Sequence, residues 1–70
     1  MTDTLKNSIK VERARQGFTQ SDLADKVGVT RLTIHSIETR KFNPSVILAL
    51  KLAACFDTKV EDLFELENDD

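Results

Sequence analysis

The chain has 70 residues, of which 40% are hydrophobic, and its 12 acidic and 10 basic side chains give a net charge of −2. A chain of this length forms one domain near the lower size limit for a single apolar core, so a roomy catalytic cleft is not expected. No apolar run approaches the roughly 20 residues that span a bilayer, and the N-terminus lacks the basic start and apolar stretch of a secretion signal. We therefore expect a cytoplasmic protein that does not contact a membrane.

The charge is unevenly distributed along the chain. Six of the 12 acidic residues and none of the 10 basic ones follow residue 59, so residues 1–59 carry +4 and the remainder carries −6. Local rather than total charge decides whether a surface attracts phosphate, so the acidic total does not exclude nucleic-acid binding. Residues 67–70 are predicted to be an acidic tail, which we interpret as solubilising.

The composition favours an all-α domain, because the chain has only two glycines and one proline and shows no strand pattern. Within a domain at 1–66, we predict helices at about 5–15, 20–27, 31–38, 45–56 and 60–66. Leu5 and Ile9 give the first helix an apolar face, and Gly17 provides its C-terminal cap. Thr19 can cap the second helix, with Asp22 near the positive end of the helix dipole.

The second and third predicted helices are joined by a short turn. Leu23, Ala24 and Val27 form one buried stripe on the second helix, and Gly28 supplies the positive φ that a sharp turn needs. Thr30 starts the third helix, whose core-facing residues are isoleucines three positions apart, Ile34 and Ile37. The third helix therefore projects a second set of side chains away from the core, namely Arg31, Leu32, His35 and Ser36.

The fourth and fifth predicted helices complete the core. The fourth follows the capping segment Asn43-Pro44-Ser45, and its apolar residues indicate a central helix without an exposed face: Val46, Leu48, Ala49, Leu50, Leu52, Ala53 and Phe56. The last helix would close the core with Val60, Leu63 and Phe64.

Enzymatic and cofactor chemistry has no support in the sequence. Cys55, the single cysteine, cannot form an intramolecular disulfide and has no second Cys or His nearby to complete a metal site. We interpret it as a small buried residue. The chain also lacks a nucleophile with a paired acid and base, a glycine-rich phosphate loop and metal-ligand spacing. We therefore expect no enzyme, no cofactor and no metal.

The run from Gly17 to Thr30, together with the segments after it, resembles the Cro and phage-repressor type of helix-turn-helix regulators, the Xre family. The matching residues are Gly17-Phe18-Thr19-Gln20, Ala24, Gly28, Ile34, Ile37-Glu38 and Asn43-Pro44-Ser45. The resemblance covers roughly residues 5–66 and implies a compact five-helix, lambda-repressor-like domain.

The sequence departs from the usual family pattern at three positions. Arg40 stands where the loop after the third helix commonly has Gly, so either a non-glycine residue adopts the turn or the turn differs. Leu32 replaces a frequent Gln, and leucine can contact a thymine methyl group but offers no hydrogen bond. Asp57 follows Phe56 where a left-handed glycine is common, a conformation that Asp tolerates better than most residues.

The resemblance implies contacts with DNA, because in this geometry the second helix of the motif enters the major groove with its N-terminal residues at base edges. The expected base-contacting residues are Arg31, Leu32, His35 and Ser36. The expected phosphate-contacting residues are Gln20, Thr33, Thr39, Arg40, Lys41 and Asn43. For Arg31 the alternative is a solvated or phosphate-bound side chain, and for His35 a position at the solvent edge. In this family an arginine of the first helix and the glutamate that ends the third form an internal ion pair, which assigns that role to Arg13 and Glu38.

The implied function is sequence-specific binding of double-stranded DNA as a transcriptional regulator, with repression favoured. One recognition helix contacts few bases, so we expect a homodimer on a pseudo-palindromic operator. Its interface is predicted around Phe64 and Leu66, although these side chains can instead complete the core of the monomer. The alternative function is an antitoxin-like or adaptor module whose acidic C-terminus binds a protein partner.

Overall fold

The computed structural model describes residues 3–68 and the side chains of residues 5–67. Residues 1, 2, 69 and 70, which include the end of the predicted acidic tail, lie outside the described residues. In chain order the elements are β1 (Asp3–Asn7), α1 (Ile9–Gln16), α2 (Gln20–Val27), α3 (Arg31–Glu38), α4 (Val46–Cys55), α5 (Val60–Leu63) and β2 (Phe64–Asn68). The domain is thus mainly helical, with the five predicted helices extended by a small sheet.

The helices enclose one apolar core. Its fully buried large side chains come from every helix, and they are Ile9, Leu23, Ile34, Ile37, Leu52 and Leu63. The rings of Phe18 and Phe56 lie 6.2 Å apart and extend the core between the α1–α2 turn and the end of α4. Because each helix is short, these helices depend on shared burial rather than on their own propensity. None of the helices within residues 3–68 is long and apolar enough to cross a membrane.

The first helix begins later than predicted, because residues 5–7 form a strand. Asn7 prevents an earlier start, since its Oδ1 accepts a hydrogen bond from the Ile9 amide at 3.2 Å and its Nδ2 donates to the Ile37 carbonyl at 2.9 Å. A side chain that bonds to backbone in this way competes with helix formation. The prediction of helix at 5–8 was therefore wrong.

The last helix ends earlier than predicted, at Leu63, and residues 64–66 belong to β2. Residues 67 and 68, predicted to begin an acidic tail, belong to the same strand. β1 and β2 pair antiparallel, with Leu5 opposite Leu66 and Lys6 opposite Glu65. Lys6 Nζ lies 2.9 Å from Glu65 Oε1 across the two strands. The strands satisfy one another's backbone groups, which a short terminal helix could not do as fully. The predictions that the chain has no strands and that residues 64–66 are helical were therefore wrong.

The fourth helix has an exposed apolar face, contrary to prediction. Its buried residues are Leu48, Leu52 and Ala53. Val46, Ile47 and Leu50 are instead 75%, 69% and 55% exposed. The helix packs against α2 and α5 on one side only, so an apolar sequence all round cannot be fully buried.

Three further residues are placed by the structure. Phe64 is only 6% exposed and belongs to the core, which confirms its prediction as a core residue and excludes the alternative place at a dimer surface. Leu66 is 70% exposed. Cys55 is partly buried and packs against the core.

Candidate nucleic-acid interface

The start of α2 is fixed by a reciprocal cap. Thr19 Oγ1 accepts a hydrogen bond from the Asp22 amide at 3.0 Å, and Asp22 Oδ2 accepts one from the Thr19 amide at 2.9 Å. Hydrogen bonds from the Thr19 backbone and hydroxyl to the carboxylate lower the pKa of Asp22 below its usual value. The cap places Gln20 at the first position of α2.

The turn between α2 and α3 requires a left-handed residue. Gly28 has φ of 78°, and its amide donates to the Ala24 carbonyl at 2.8 Å, so the helix ends in a capped turn. Thr30 then caps α3 by accepting a hydrogen bond from the Thr33 amide at 3.2 Å. Two short polar caps and one glycine therefore set the relative orientation of the two helices.

The third helix has one buried side and one open side. Ile34 and Ile37 lie in the core, with 0% and 1% exposure. The side chains predicted to contact bases are on the open side: Arg31, Leu32 and His35 are exposed, and Ser36 is half-buried. Thr33, predicted to contact phosphate, is also half-buried. The structure thus brings these residues together on one surface, with Gln20 beside them.

An ion pair lies beneath this surface. Arg13 Nε and Nη2 donate to the two carboxylate oxygens of Glu38 at 2.6 and 3.0 Å, and Arg13 Nη1 donates to the Phe18 carbonyl at 3.1 Å. The two side chains are 15% and 7% exposed. Burial raises the pKa of Glu38, but hydrogen bonds from Arg13 and Gln20 and the charge of Arg13 outweigh it, so the pKa lies below its ordinary value. The pair implied by the resemblance is present and joins α1 to α3.

Gln20 connects the ion pair to the open side of α3. Its Nε2 donates to Glu38 Oε1 at 3.1 Å and lies 3.4 Å from His35 Nδ1. Arg31 Nη1 donates to Gln20 Oε1 at 3.3 Å. A continuous series of hydrogen bonds therefore runs from the guanidinium of Arg13 to that of Arg31 and holds the Arg31 side chain against α2.

The loop after α3 folds back on the helix. Arg40 adopts φ of 66°, so a non-glycine residue does take the left-handed conformation that the family pattern gives to glycine. Thr39 Oγ1 donates to the His35 carbonyl at 3.0 Å. Lys41 and Asn43, both predicted to contact phosphate, are exposed beyond this turn.

Two interactions near the site were not predicted. Arg40 pairs with the carboxylate of Glu67 on β2, which links the predicted phosphate-binding loop to the acidic end of the chain. Phe42 is 50% exposed and lies beside Leu32, which is 64% exposed. The Arg40–Glu67 pair could not be predicted, because it forms only when the sheet folds. Phe42 could have been noticed in the sequence, because it is an apolar residue in a polar loop. Within residues 3–68, no group of three or more His, Cys, Asp and Glu side chains is placed to hold a metal ion.

The fold and the arrangement of α2 and α3 match those of known proteins. A family model described as helix-turn-helix matches residues 9–63, a range that includes all five helices. The chain belongs to the helix-turn-helix family of the Xre/Cro type. In this Xre/Cro-type chain, α2 and α3 are the two helices of the motif, and α3 is the recognition helix.

The Xre/Cro-type relatives include proteins of similar length. The chain is 48% identical over 66 residues to an uncharacterized HTH-type transcriptional regulator of Methanocaldococcus jannaschii, covering 94% of this chain and 100% of the relative. It is 46% identical over 65 residues to the uncharacterized HTH-type transcriptional regulator YgzD of Bacillus subtilis, covering 93% and 98%. Among solved structures it is similar to SinR, the master regulator for biofilm formation of Bacillus subtilis, in complex with DNA. That similarity has a TM-score of 0.69 and 37% identity and covers 76% of this chain and 86% of the SinR chain in that structure.

Proposed function

We propose that this Xre/Cro-type protein is a transcriptional regulator, acting in the cytoplasm, that binds double-stranded DNA with α3 in the major groove. The observation that carries the proposal is the hydrogen-bonded series from Arg13 through Glu38 and Gln20 to Arg31. It orients a guanidinium at the first turn of the recognition helix before DNA arrives, which reduces the ordering cost of binding. The DNA complex of SinR supports the same interpretation.

The proposed contacts fall into two classes. Arg31, Leu32, His35 and Ser36 meet base edges, and Arg31 can donate two hydrogen bonds to a guanine. Phosphates are bound by the side chains at the start of α2, within α3 and in the loop after it, namely Gln20, Thr33, Thr39, Arg40, Lys41 and Asn43. Base contacts determine sequence preference, whereas phosphate contacts determine position and salt dependence.

These two classes predict different effects of substitution. In a selection from random duplexes followed by anisotropy titrations, Arg31→Ala should lower discrimination against wrong bases at one position by roughly 1–3 kcal/mol. Lys41→Ala should weaken binding to all duplexes alike and reduce the slope of log affinity against log salt by about one. Lys59→Ala, which removes the same charge from an exposed lysine at the start of α5, is the matched control.

Absent or salt-independent binding to DNA contradicts this function. A stable complex with another protein, together with an activity that Arg31→Ala leaves unchanged, indicates an antitoxin-like or adaptor role instead.

We further propose that the regulator represses transcription as a homodimer on a pseudo-palindromic operator with half-sites about 34–36 Å apart. The exposed face of α4 formed by Val46, Ile47 and Leu50 is the best surface for the second copy, because large apolar side chains cluster there. Of the two residues around which the sequence predicted the dimer interface, Phe64 is buried and Leu66 is exposed.

The dimer surface is tested by placing a charge in it. Ile47→Asp should shift the protein to a monomer in sedimentation experiments and weaken binding to a symmetric operator far more than binding to a half-site. Val11→Asp, at a 52% exposed valine on α1, is the control and should leave the dimer intact. A wild-type protein that is monomeric both free and on the full operator contradicts the proposal.

A further inference from the structure

An apolar notch lies beside the recognition helix. It has a volume of about 200 Å³ and is lined by Leu32, Thr33, Ser36 and Phe42. Leu32 and Phe42 keep 64% and 50% of their surface exposed, although a small domain gains stability by burying such side chains. Two exposed apolar side chains that face one opening between α3 and its following loop indicate a binding surface rather than core packing.

The notch is held in shape by backbone hydrogen bonds. The Ser36 carbonyl accepts from the Lys41 amide at 2.9 Å and from the Phe42 amide at 3.2 Å, so the loop is fixed against α3. On the opposite wall, the Thr33 hydroxyl lies 3.0 Å from the hydroxyl of Thr30 at the helix cap. Both walls are thus in place without a ligand, as a selective site requires.

The charges around the notch indicate which class of ligand it binds. None of its four lining residues carries a carboxylate, and the residues that directly precede Leu32 and Phe42 in the chain are the exposed cations Arg31 and Lys41. An apolar opening on a surface that carries these cations and no lining carboxylate suits an anionic polymer that presents a small apolar group. In the major groove that group is the C5 methyl of thymine, which lies next to the O4 acceptor.

We propose that the notch receives the C5 methyl group of one thymine in each operator half-site, between Leu32 and Phe42, with the Ser36 hydroxyl donating to O4. This inference rests on the proposed function and adds a base preference to it. A volume of about 200 Å³ accommodates the edge of one base but is small for a helix of a protein partner. Thymine is the one DNA base that combines a methyl group with a neighbouring acceptor on this edge.

The test removes the methyl group from DNA rather than from the protein. Deoxyuridine replaces thymine, one position at a time, in the best duplex from the random selection, and affinity is measured at fixed salt. Burial of one methyl group predicts a loss of about fourfold for one half-site and about fifteenfold when both symmetry-related positions change. 5-Bromodeoxyuridine at the same position should restore affinity, because bromine fills the space of the methyl group.

The protein variants show whether the notch is responsible. In Leu32→Ala and Phe42→Ala, both at exposed positions, the thymine duplex should bind more weakly and the penalty for deoxyuridine should largely disappear. Val11→Ala, at a comparably exposed valine on α1, should keep the full penalty. Circular dichroism establishes that each variant is folded.

The outcomes separate this inference from the proposed function. If the protein binds the selected duplex but tolerates deoxyuridine at every position, the notch does not bind a methyl group and the DNA-binding function stands. An equal deoxyuridine penalty in wild type and Leu32→Ala overturns the inference in the same way, because the methyl group then acts elsewhere. If no duplex is bound, both the inference and the proposed function fail.

Discussion

At the scale of single residues, Glu38 is a charged side chain that is largely removed from solvent. Its side chain is 7% exposed, and its carboxylate accepts hydrogen bonds from both Arg13 and Gln20. A buried ion pair adds little net stability compared with apolar residues, but removal of one partner leaves the other charge buried and unpaired. Glu38 therefore supports both the fold and the placement of Gln20 and Arg31.

This environment predicts a large effect of Glu38→Gln. At pH 7 and fixed protein concentration, the free energy of unfolding in urea should fall by about 3 kcal/mol, because Arg13 loses its counter-charge. Glu61→Gln, at an exposed glutamate on α5, is the control and should change stability little. Equal stability of Glu38→Gln and wild type contradicts the role assigned to the pair.

The pH dependence of this effect follows from the pKa of Glu38. The pKa is lower in the folded chain than its ordinary value of 4.5, so the folded state favours the charged form. The stabilisation is fully present above the unfolded pKa and is lost as the pH falls through the folded pKa. The difference between wild type and Glu38→Gln should therefore shrink below about pH 4.5. A difference that grows with acidification contradicts the lowered pKa.

At the scale of elements, β2 begins with a buried residue and continues along the surface. Phe64, its first residue, is 6% exposed, whereas Leu66, two positions later, is 70% exposed. Phe64→Ala should destabilise the domain by about 3–5 kcal/mol, and the milder Phe64→Leu should keep it folded at a smaller cost. Leu66→Ala should change the unfolding free energy by less than about 1 kcal/mol. Urea denaturation of the three variants checks this order, and a larger effect of Leu66→Ala assigns Leu66 to an interface.

The elements that local sequence specified were predicted correctly, and those that depend on distant segments were not. Caps at Thr19 and Thr30 and the turn at Gly28 are local signals, and α2 and α3 begin and end at their predicted residues. β1 and β2 lie at opposite ends of the chain, so neither segment indicates its partner. The Phe64-Glu65-Leu66-Glu67 alternation was a strand signal that the helical composition outweighed.

The same distinction applies to the candidate site. Spacing on α3 was enough to place Arg31, Leu32, His35 and Ser36 on the open side, because the helix period determines its faces. Spacing did not reveal the interaction of Arg40 with Glu67, since β2 approaches the loop only in the folded chain. Roles of individual residues toward DNA remain predictions.

At the scale of the whole molecule, the charge separation along the chain acquires a structural meaning. Residues 1–59 carry +4 and residues 60–70 carry −6. The fold brings part of the acidic segment back to the basic one, because Glu67 pairs with Arg40 and Glu65 pairs with Lys6. A carboxylate on Arg40 occupies a guanidinium that we propose for phosphate binding, so it opposes DNA binding.

Glu67→Gln should therefore increase the affinity for DNA. Exposed ion pairs contribute about 0.2–1 kcal/mol, so loss of the Glu67 carboxylate beside Arg40 predicts an increase of up to about fivefold at low salt. Glu65→Gln changes the net charge equally but removes the carboxylate beside Lys6 instead, which separates the specific contact from the general gain in positive charge. If both variants increase affinity equally, the acidic strand acts only through net charge. If Glu67→Gln alone does so, and the gain disappears in Arg40→Gln, then Glu67 competes with phosphate for Arg40.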